Sequence, residues 1–559
     1  MINETNYTNN PLTKEQENKI DELLTKYDTT VKPGLSIGII KDSKLIYKKS
    51  FGLANLEFNI PNKSDTKFEL GSETKQFTAT CIALLQIEGE LSFDDDIRKH
   101  LSELPDYGKM ITIKNLIFHT SGIMDYPDLM RVRGVNYEAT EYSNIDILKL
   151  VSRINKLSFS PGEKYLYSNT GYLLLAEIIE RVSGKCLPKF AKERIFDPLG
   201  MNDTQIIDDW QKVIKNRATS YAVNDEGVVS TYLRISNQFG GIGGISTIND
   251  LLLWDQNFYS GKVGGNELKE IRMNLQRQLE THANFSLGLG LYFWRYKNIH
   301  FVFHGGEWLY FCSQISRYPK QDTSVIVLAN TDVDTLDLTN NIADIVLADV
   351  LKEPNAEPES NEDVIETVKL DFDLDIFIGN YCAVQDVNGK KMWNIHHDSG
   401  HMMTKKIFLK NGSLYLDESR LNPISDSKFV VEGMSTDTKV VFEVTKSEKV
   451  ISVLLNEKIT IAYKSYEIPN YSLDELQRFT GKFYSKILDV EYDIKVKNDK
   501  LNIFINDKKM SSLSVIMESI FNIDEWYSSM HFKLNDKNEV TGLILNSCRI
   551  HNIEFEKRS

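Results

Sequence analysis

The sequence predicts an α+β fold in which an antiparallel sheet is flanked by helices and an all-α subdomain, followed by two small antiparallel β domains. Three observations lead to this prediction. Helix-spaced and strand-spaced apolar runs alternate near the start, residues 144–198 are mainly helix-patterned, and the chain beyond about residue 369 shows the two-residue period of β-strands. A chain of 559 residues is also too long for a single core.

The front part of the chain carries clear local signals. A capping-box pattern at Thr13 precedes apolar residues at helical spacing, which predicts a first helix. Apolar runs at 35–40 and 45–47 flank a polar turn, which predicts a β-hairpin. The glycine-rich run 240–244 permits tight backbone packing near a core or cleft. Strand-like runs and a last helical run at 339–351 complete the expected first domain.

The tail divides by composition and by repetition. An acidic, apolar-poor segment with two prolines is typical of a linker, and Phe-Ile-Gly-Asn-Tyr at 377–381 resembles Phe-Thr-Gly-Lys-Phe at 479–483. Each copy continues into a hairpin-turn signal, Asn411-Gly412 in the first and Asn498-Asp499 in the second. The expected domains are 1–352, a linker at 353–368, and β domains at 369–468 and 469–559.

Composition narrows the partners and the location. Asp and Glu number 79 against 65 Lys and Arg, and the net charge of −14 argues against nucleic acid or an anionic membrane as the main partner. No segment reaches the roughly 18 apolar residues of a membrane span. Residues 1–10 lack the basic start and apolar stretch of a signal peptide, so we expect a cytoplasmic protein. The five cysteines, odd in number and far apart, are expected to be reduced.

Three histidines in the tail raise the question of a metal site. His396 and His397 are adjacent, so on a strand their side chains point to opposite faces and do not easily share one ion with His401. We therefore expect neither a metal nor another cofactor.

Ser72 is the best candidate for a nucleophile. It opens a long helix-patterned run, so its backbone N–H belongs to the unsatisfied N-terminal set, and Lys75, three residues on, shares its face. Ser64 and Ser425 have the same S-x-x-K spacing but lie in a polar turn and a loop. Taken alone, the motif at Ser72 is better explained by simple N-capping than by catalysis.

Two further motifs follow in the chain. Tyr-Ser-Asn at 167–169 comes after a Pro-Gly turn and before a helical run, and His-Gly-Gly at 304–306 ends a strand-like run, where glycines let a ligand approach the backbone. In this order the three motifs resemble the serine β-lactamase and penicillin-binding protein superfamily, in particular its class C-like branch of D-aminopeptidases, esterases and DD-peptidases. Further matches at 116–122, 197–201 and 243–247 extend the resemblance to roughly residues 15 to 350.

The resemblance implies a role for each motif residue. The superfamily's acylated serine corresponds to Ser72, and the residues that exchange its proton correspond to Lys75 and Tyr167. A cation next to Tyr167 would favour the phenolate, whereas burial would favour neutral Lys75, so either could take the Ser72 proton. Asn169 is expected to hold the lysine and the substrate. The backbone N–H groups of Ser72 and Glu307 are the expected oxyanion hole.

The third motif departs from the common pattern. His304, Gly305 and Gly306 stand where β-lactamases and DD-peptidases commonly have Lys-Thr-Gly, as in D-aminopeptidase-like members. That lysine usually supports the substrate carboxylate, so its absence argues against β-lactam hydrolysis and carboxypeptidase action. An aminopeptidase, amidase or esterase becomes the better expectation.

The residues after the third motif and His119 leave alternatives open. The Glu307 side chain could attract a substrate ammonium or simply be solvated. Trp308 and Tyr310, where related sequences often have small residues, are expected to narrow the cleft or to pack in the core. A Ser-His dyad through His119 is conceivable, but the family pattern gives that histidine a structural role.

The tail resembles, more weakly, the lipocalin-like β-barrels that follow the catalytic domain of D-aminopeptidases. Such barrels either restrict access to the serine or mediate assembly, which makes a homo-oligomer possible. The combined expectation is a serine hydrolase that acts on short peptides or amides with D-residues through an acyl-enzyme at Ser72. The alternatives are a carboxylesterase and a penicillin-binding protein or β-lactamase of low turnover.

Overall fold

The computed structural model describes residues 12–224, 226–278, 285–297, 299–351, 374–387, 390–393, 404–410, 413–431, 438–444, 449–455, 458–524, 526 and 528–558. Three predictions lie outside these residues: the linker at 353–368, the histidines His396, His397 and His401, and the turn Asn411-Gly412. The chain forms two compact units that divide near residue 355. The exact domain boundaries remain predictions.

The first unit mixes helices and strands along the whole of its length. Its helices are α1 (Lys14–Leu24), α2 (Thr74–Ile87), α3 (Ile113–Ile117), α4 (Tyr126–Val132), α5 (Asn144–Val151), α6 (Asn169–Ser183), α7 (Leu187–Ala191), α8 (Asp197–Leu199), α9 (Ile248–Ser260), α10 (Gly265–Asn274) and α11 (Thr335–Val346). Its strands are β1 (Leu35–Lys41), β2 (Lys44–Phe51), β3 (Leu53–Asn55), β4 (Ile60–Pro61), β5 (Phe68–Glu69), β6 (Gln205–Ile206), β7 (Ser220–Val223), β8 (Val229–Tyr232), β9 (Gly244–Ser246), β10 (Arg277–Gln278), β11 (Ser286–Gly288), β12 (Leu291–Tyr296), β13 (Ile299–Trp308), β14 (Phe311–Tyr318) and β15 (Thr323–Ala329).

An eight-stranded antiparallel sheet forms the centre of this unit. Its order is β10-β11-β12-β13-β14-β15-β1-β2, and every residue of β14 and β15 is buried. Helices α1 and α11 pack on one face of this sheet around the apolar side chains Ile20, Ile37, Val327 and Ile342. Helix α9 packs against β1 and β15, where Ile248 approaches Gly38 so closely that a Cβ there would be 2.8 Å from it. The predicted α+β class with an antiparallel sheet is confirmed.

The first predicted elements are present. Helix α1 begins with the expected capping box, in which Thr13 Oγ1 accepts from the Gln16 N–H at 3.1 Å and the Gln16 side chain accepts from Thr13 N–H at 2.9 Å. The predicted hairpin is β1–β2, joined by a two-residue turn at Asp42 and Ser43 with positive φ. The last helix, α11, starts at Thr335, four residues before the predicted helical run, because Asp334 caps it.

The second unit is almost entirely β. Within the described residues it contains a 3-10 turn (Leu374–Phe377) and one short α-helix, α12 (Leu473–Gln477). Its strands are β16 (Gly379–Val387), β17 (Lys390–Trp393), β18 (Thr404–Lys410), β19 (Ser413–Leu416), β20 (Ser419–Ser425), β21 (Lys428–Val431), β22 (Thr438–Val444), β23 (Lys449–Leu455), β24 (Lys458–Tyr466), β25 (Gly481–Ser485), β26 (Val490–Lys497), β27 (Lys500–Ile505), β28 (Lys508–Met517), β29 (Ile520–Ile523), β30 (Ser528–Leu534), β31 (Val540–Ser547) and β32 (Ile550–Arg558).

These strands form two closed antiparallel barrels, as the sequence predicts. In the first barrel β16 pairs with both β18 and β24 and closes a ring of eight strands, while β17 pairs with the far end of β16. In the second, β25 to β32 close into eight strands. The repeated motif occupies matching places, because Phe377 and Tyr381 in the first copy, and Phe479 and Phe483 in the second, are all buried next to the opening strand.

Two properties bear on the expected partners. Within the described residues no helix is long and apolar enough to cross a membrane. Cys81, Cys186, Cys312 and Cys548 form no disulfide bond.

Candidate active site

Ser72 lies in a tight 3-10 turn, 71–73, that leads directly into α2. Gly71 has a φ of +49°, and a Cβ at this position would lie 2.6 Å from the Glu307 backbone nitrogen. Only glycine fits such a close approach in the left-handed region. The turn therefore presses against the end of β13 and holds Ser72 beside the Glu307 backbone.

The predicted motif residues converge on the Ser72 hydroxyl. Tyr167 Oη donates to Ser72 Oγ at 2.8 Å, and Lys75 Nζ donates to the same oxygen at 3.0 Å. Lys75 Nζ also donates to Asn169 Oδ1 and to the Gly241 carbonyl, each at 2.8 Å. A nucleophile with two proton-carrying groups within hydrogen-bond distance is the arrangement that serine catalysis needs.

The Lys75 ammonium is enclosed by protein. The residue is 0% exposed, and Nζ lies 4.7 Å from the centre of the Tyr167 ring and 5.5 Å from that of Tyr172. Oxygen acceptors and aromatic faces therefore surround the charge, and both favour a cation in a buried place.

The start of α6 positions Tyr167 and Asn169. Ser168 is its N-cap, and Ser168 Oγ accepts from the Gly171 N–H at 3.1 Å. His119 Nδ1 accepts from the Ser168 N–H at 3.0 Å, and its ring stacks on Tyr167 with centres 4.4 Å apart. This histidine orients the second motif instead of activating Ser72, which fits the structural role expected of it.

The hairpin β13–β14 aims the Glu307 N–H at the serine. Leu309 and Tyr310 form a two-residue turn with positive φ, so Trp308 and Phe311 are the first hydrogen-bonded pair and Glu307 belongs to the next, non-bonded pair. Its N–H consequently points away from β14, on the side where Gly71 lies. The Ser72 N–H makes no backbone hydrogen bond among the described residues, so both predicted oxyanion donors are available.

His304 is buried among aromatic rings. Its ring centre lies 4.9 Å from that of Tyr292 and 6.4 Å from that of Tyr167, and Nδ1 lies 2.5 Å from the Gly305 carbonyl oxygen. Burial, reinforced by the charge of Lys75, lowers the pKa of His304 to about 3. The imidazole is therefore neutral at physiological pH and does not replace the cation of a Lys-Thr-Gly motif.

Comparison with known proteins places this site in a family. The sequence profile of the beta-lactamase family matches residues 20–349, which is more than half of the chain and includes all three motifs. The chain belongs to the beta-lactamase family. It is therefore an enzyme of the serine hydrolase type.

Individual relatives of this beta-lactamase-family enzyme align with different shares of its chain. A penicillin-binding protein of Bacillus subtilis (strain 168) is 30% identical over 341 residues, 57% of this chain and 74% of that protein. A D-aminopeptidase of Brucella anthropi is 29% identical over 228 residues, 40% of this chain and 42% of that protein. The octameric penicillin-binding protein homologue of Pyrococcus abyssi has a TM-score of 0.54 at 21% identity and covers 89% of this chain and 98% of its own; this likeness concerns the fold alone.

The residues that follow the third motif, 307–310, include two aromatic side chains and one carboxylate. The Glu307 side chain is exposed, whereas Trp308 is buried in a cluster with Ile242 and Leu309. Tyr310 is 39% exposed, and its ring lies 4.6 Å from that of Tyr232. Trp308 therefore packs in the core, which is one of the two roles expected of these residues. Tyr310 lies instead at the surface of the hairpin.

Sequence reasoning missed Gly241 and Glu73. Gly241 supplies a carbonyl to Lys75, and the glycine-rich run was the available signal. Glu73 follows the nucleophile and is buried; Ile315 N–H donates to its Oε1 at 2.7 Å, and Gln76 donates to its other oxygen. Burial raises the pKa of Glu73 to about 8 although Arg317 opposes the shift. Nothing in the local sequence marks this carboxyl as buried.

No metal-type cluster accompanies the site within the described ranges, where no three His, Cys, Asp or Glu side chains are grouped to hold an ion.

Proposed function

We propose that the enzyme hydrolyses short peptides or amides that carry D-residues, through an acyl-enzyme at Ser72. The observation that carries the proposal is the pair of hydrogen bonds that Ser72 Oγ accepts from Tyr167 at 2.8 Å and Lys75 at 3.0 Å. The similarity to a D-aminopeptidase over 40% of the chain supports the substrate class.

The contacts of Lys75 support Tyr167 as the proton acceptor in this proposal. Its Nζ donates to three oxygen atoms, Ser72 Oγ, Asn169 Oδ1 and the Gly241 carbonyl, and three acceptors suit the three N–H donors of an ammonium. A charged lysine has no lone pair for the Ser72 proton but stabilises a neighbouring phenolate. Tyr167 is then the base, and Lys75 is the cation that makes it effective.

The proposed reaction has two steps. In acylation, Ser72 Oγ attacks the carbonyl carbon, its proton passes to Tyr167, and the Ser72 and Glu307 N–H groups bind the oxyanion. Tyr167 returns the proton to the leaving amine as the C–N bond breaks. In deacylation, water gives a proton to Tyr167 and attacks the ester carbonyl carbon. Tyr167 then passes this proton to Ser72 Oγ as the ester C–O bond breaks, which restores Ser72 and releases the acid.

The charges at the site favour a substrate with an amino group over one with a carboxylate. Neutral His304 offers no cation to a substrate carboxylate. The exposed Glu307 carboxylate, on the residue that supplies the oxyanion donor, attracts a substrate ammonium. These two features support aminopeptidase or amidase action over β-lactam hydrolysis.

Esters are the second candidate substrate class. The same neutral His304 accepts a substrate without a carboxylate, and an ester leaving group needs less protonation than an amine. Carboxylesterase activity therefore uses the same residues.

A hydrolysis panel separates these hypotheses. It compares D- and L-aminoacyl amides, p-nitrophenyl esters and a chromogenic cephalosporin, with intact-mass detection of adducts at Ser72. We expect turnover of D-aminoacyl amides above their L-forms. Rapid ester turnover without amide turnover would make the protein an esterase, and a long-lived cephalosporin adduct would make it a penicillin-binding protein of low turnover.

Location and assembly belong to the same proposal. The acidic composition supports a cytoplasmic enzyme, and the two barrels offer surfaces for self-association. Cell fractionation and light scattering of the purified chain test these two points. If the chain is a monomer at micromolar concentration, the barrels do not mediate assembly, and restriction of access to the serine becomes their proposed role.

A further inference from the structure

A small cavity lies beneath α2, among residues that the catalytic motifs do not include. The centre of a water-sized sphere can move through about 10 Å³ inside it, so the cavity holds one small guest. Two leucines and six other side chains line it: Gln76, Thr80, Trp254, Phe258, Arg272 and Arg317.

Two buried guanidinium groups face this cavity. Arg272 is 5% exposed and Arg317 is 1% exposed. Their central carbons lie 4.7 Å and 5.4 Å from the centre of the same Phe258 ring. The two cations are close enough that Arg317 contributes to lowering the pKa of Arg272 to about 9, although burial is the main cause. With this pKa, Arg272 remains charged at neutral pH.

The protein supplies a counter-charge to one of them. Arg317 Nε donates to Asp255 Oδ1 at 2.8 Å, and its Nη1 donates to Gln76 Oε1 at 3.3 Å. Within the described part of the chain, the Arg272 guanidinium makes only one long hydrogen bond, 3.4 Å, to the Phe258 carbonyl. Among the described residues no carboxylate pairs with Arg272. A buried, unpaired guanidinium is costly, and folded proteins compensate such charges.

We infer that this cavity binds a single chloride ion between Arg272 and Arg317. The guest must be an anion, because a water molecule would leave the second positive charge uncompensated. A single small ion such as chloride fits this space. The walls of Phe258 and Trp254 suit a weakly hydrated halide, and Arg272 retains donors for it.

The first test is thermal unfolding of the full chain at constant ionic strength, with sodium gluconate replaced stepwise by sodium chloride. At tenfold excess over the dissociation constant, binding contributes about 1.4 kcal/mol, so we expect a saturating rise in Tm of about 2 °C. Arg272→Met should lose this chloride response and be the more stable protein in gluconate. Arg295→Met, at an exposed arginine, should respond to chloride like the wild type. Identical chloride responses in the wild type and Arg272→Met would overturn the proposal.

A second test does not depend on a variant that folds. Crystals of the wild-type chain grown in sodium bromide should show an anomalous peak between the Arg272 and Arg317 guanidinium groups. A cavity that contains only water in bromide would refute the anion site. Substrate hydrolysis plays no part in either readout, so failure of the proposed function leaves this result unaffected.

Discussion

The two units of the chain bury very different polar groups. In the first unit many ionisable side chains are less than 9% exposed, among them Glu69, Glu73, Lys75, Asp125, Arg234, Asp255, Arg272, His304 and Arg317. In the described part of the second unit the buried polar side chains, tyrosine and tryptophan aside, are Ser452, Ser485, Asn502, Ser511, Ser519, Ser528, Ser529 and Ser547.

This difference indicates where the chemistry lies. Burying a charge costs free energy unless partners compensate it, so proteins bury charges mainly where a network or a reaction uses them. The barrel cores are instead filled by aromatic clusters, such as Phe377 with Phe442 and Phe521 with Phe532. Such cores bring stability and shape without reactive groups. The first unit is therefore expected to carry all of the catalysis.

The strongest test of the comparison is Ser72→Ala. Removing the nucleophile should lower kcat by at least about 10⁴-fold, because only binding and the oxyanion hole remain. The matched control is Ser425→Ala, which alters the same S-x-x-K spacing at an exposed position of the first barrel and should leave kcat unchanged. Near-normal hydrolysis by Ser72→Ala would place the working site in the tail.

The next test separates the two proton carriers. Tyr167→Phe should lower kcat/KM by about 10²- to 10⁴-fold at every pH, since the base is gone. Lys75→Met keeps the phenol but removes the cation, so its activity should recover as the pH rises. The pH–rate profiles of both variants decide the matter. A flat loss in Lys75→Met together with recovery in Tyr167→Phe would reverse the assignment.

Much of this arrangement could be predicted from local patterns. The Ser72 turn, the capped α1 and the β1–β2 hairpin each follow from a few neighbouring residues, and family resemblance connected Ser72 with Tyr167 across 95 positions. The barrel repeat was visible because each copy begins with the same buried aromatic pair.

The buried charges could not be predicted in the same way. Arg272 stands in Gly-Asn-Glu-Leu-Lys-Glu-Ile-Arg-Met-Asn, the sequence of α10, which has the composition of an exposed helix. Glu73 is equally ordinary in its local context. Their burial depends on the distant partners Phe258 and Ile315, which tertiary packing brings to them. The neutral state of His304 likewise follows from its enclosure and from Lys75.

The buried carboxyl of Glu73 predicts a pH-dependent stability difference. Its pKa is raised from 4.5 to about 8, so its contribution is fully present below pH 4.5 and is lost as the pH rises through about 8. Glu73→Gln should therefore gain stability relative to the wild type between pH 5 and pH 8.5. A tenfold change in proton affinity corresponds to about 1.4 kcal/mol, and we expect the gain to be at least that large.

Urea denaturation of both proteins at the two pH values measures this difference. Glu22→Gln, at an exposed position of α1, is the control and should show a difference from the wild type that does not change with pH. A pH-independent difference for Glu73→Gln would mean that the Glu73 carboxyl is ionised throughout, with Arg317 outweighing its burial.

The smallest predicted effect compares one turn type in the two units. The catalytic hairpin places Leu309 and Tyr310 at φ +47° and +64°, whereas the β26–β27 turn of the second barrel uses Asn498 and Asp499 at +53° and +59°. Asparagine and aspartate tolerate this region, but leucine and tyrosine are strained by about 1 kcal/mol or more each.

Glycine substitutions in both turns test whether the strained backbone at Tyr310 affects stability, activity or both. Asp499→Gly should change stability by less than about 0.5 kcal/mol and leave kcat/KM unchanged. Tyr310→Gly relieves about 1 kcal/mol of strain but loses a similar amount of ring contact with Tyr232, so its stability should also stay nearly constant. Its kcat/KM should fall about fivefold, or roughly 1 kcal/mol, because Tyr310 lies three residues from Glu307 on the hairpin that supplies the oxyanion donor. A Tyr310→Gly variant that gains the full 1 kcal/mol of stability and keeps its activity would contradict this prediction. In that case the Tyr310 side chain contributes neither to packing nor to substrate binding.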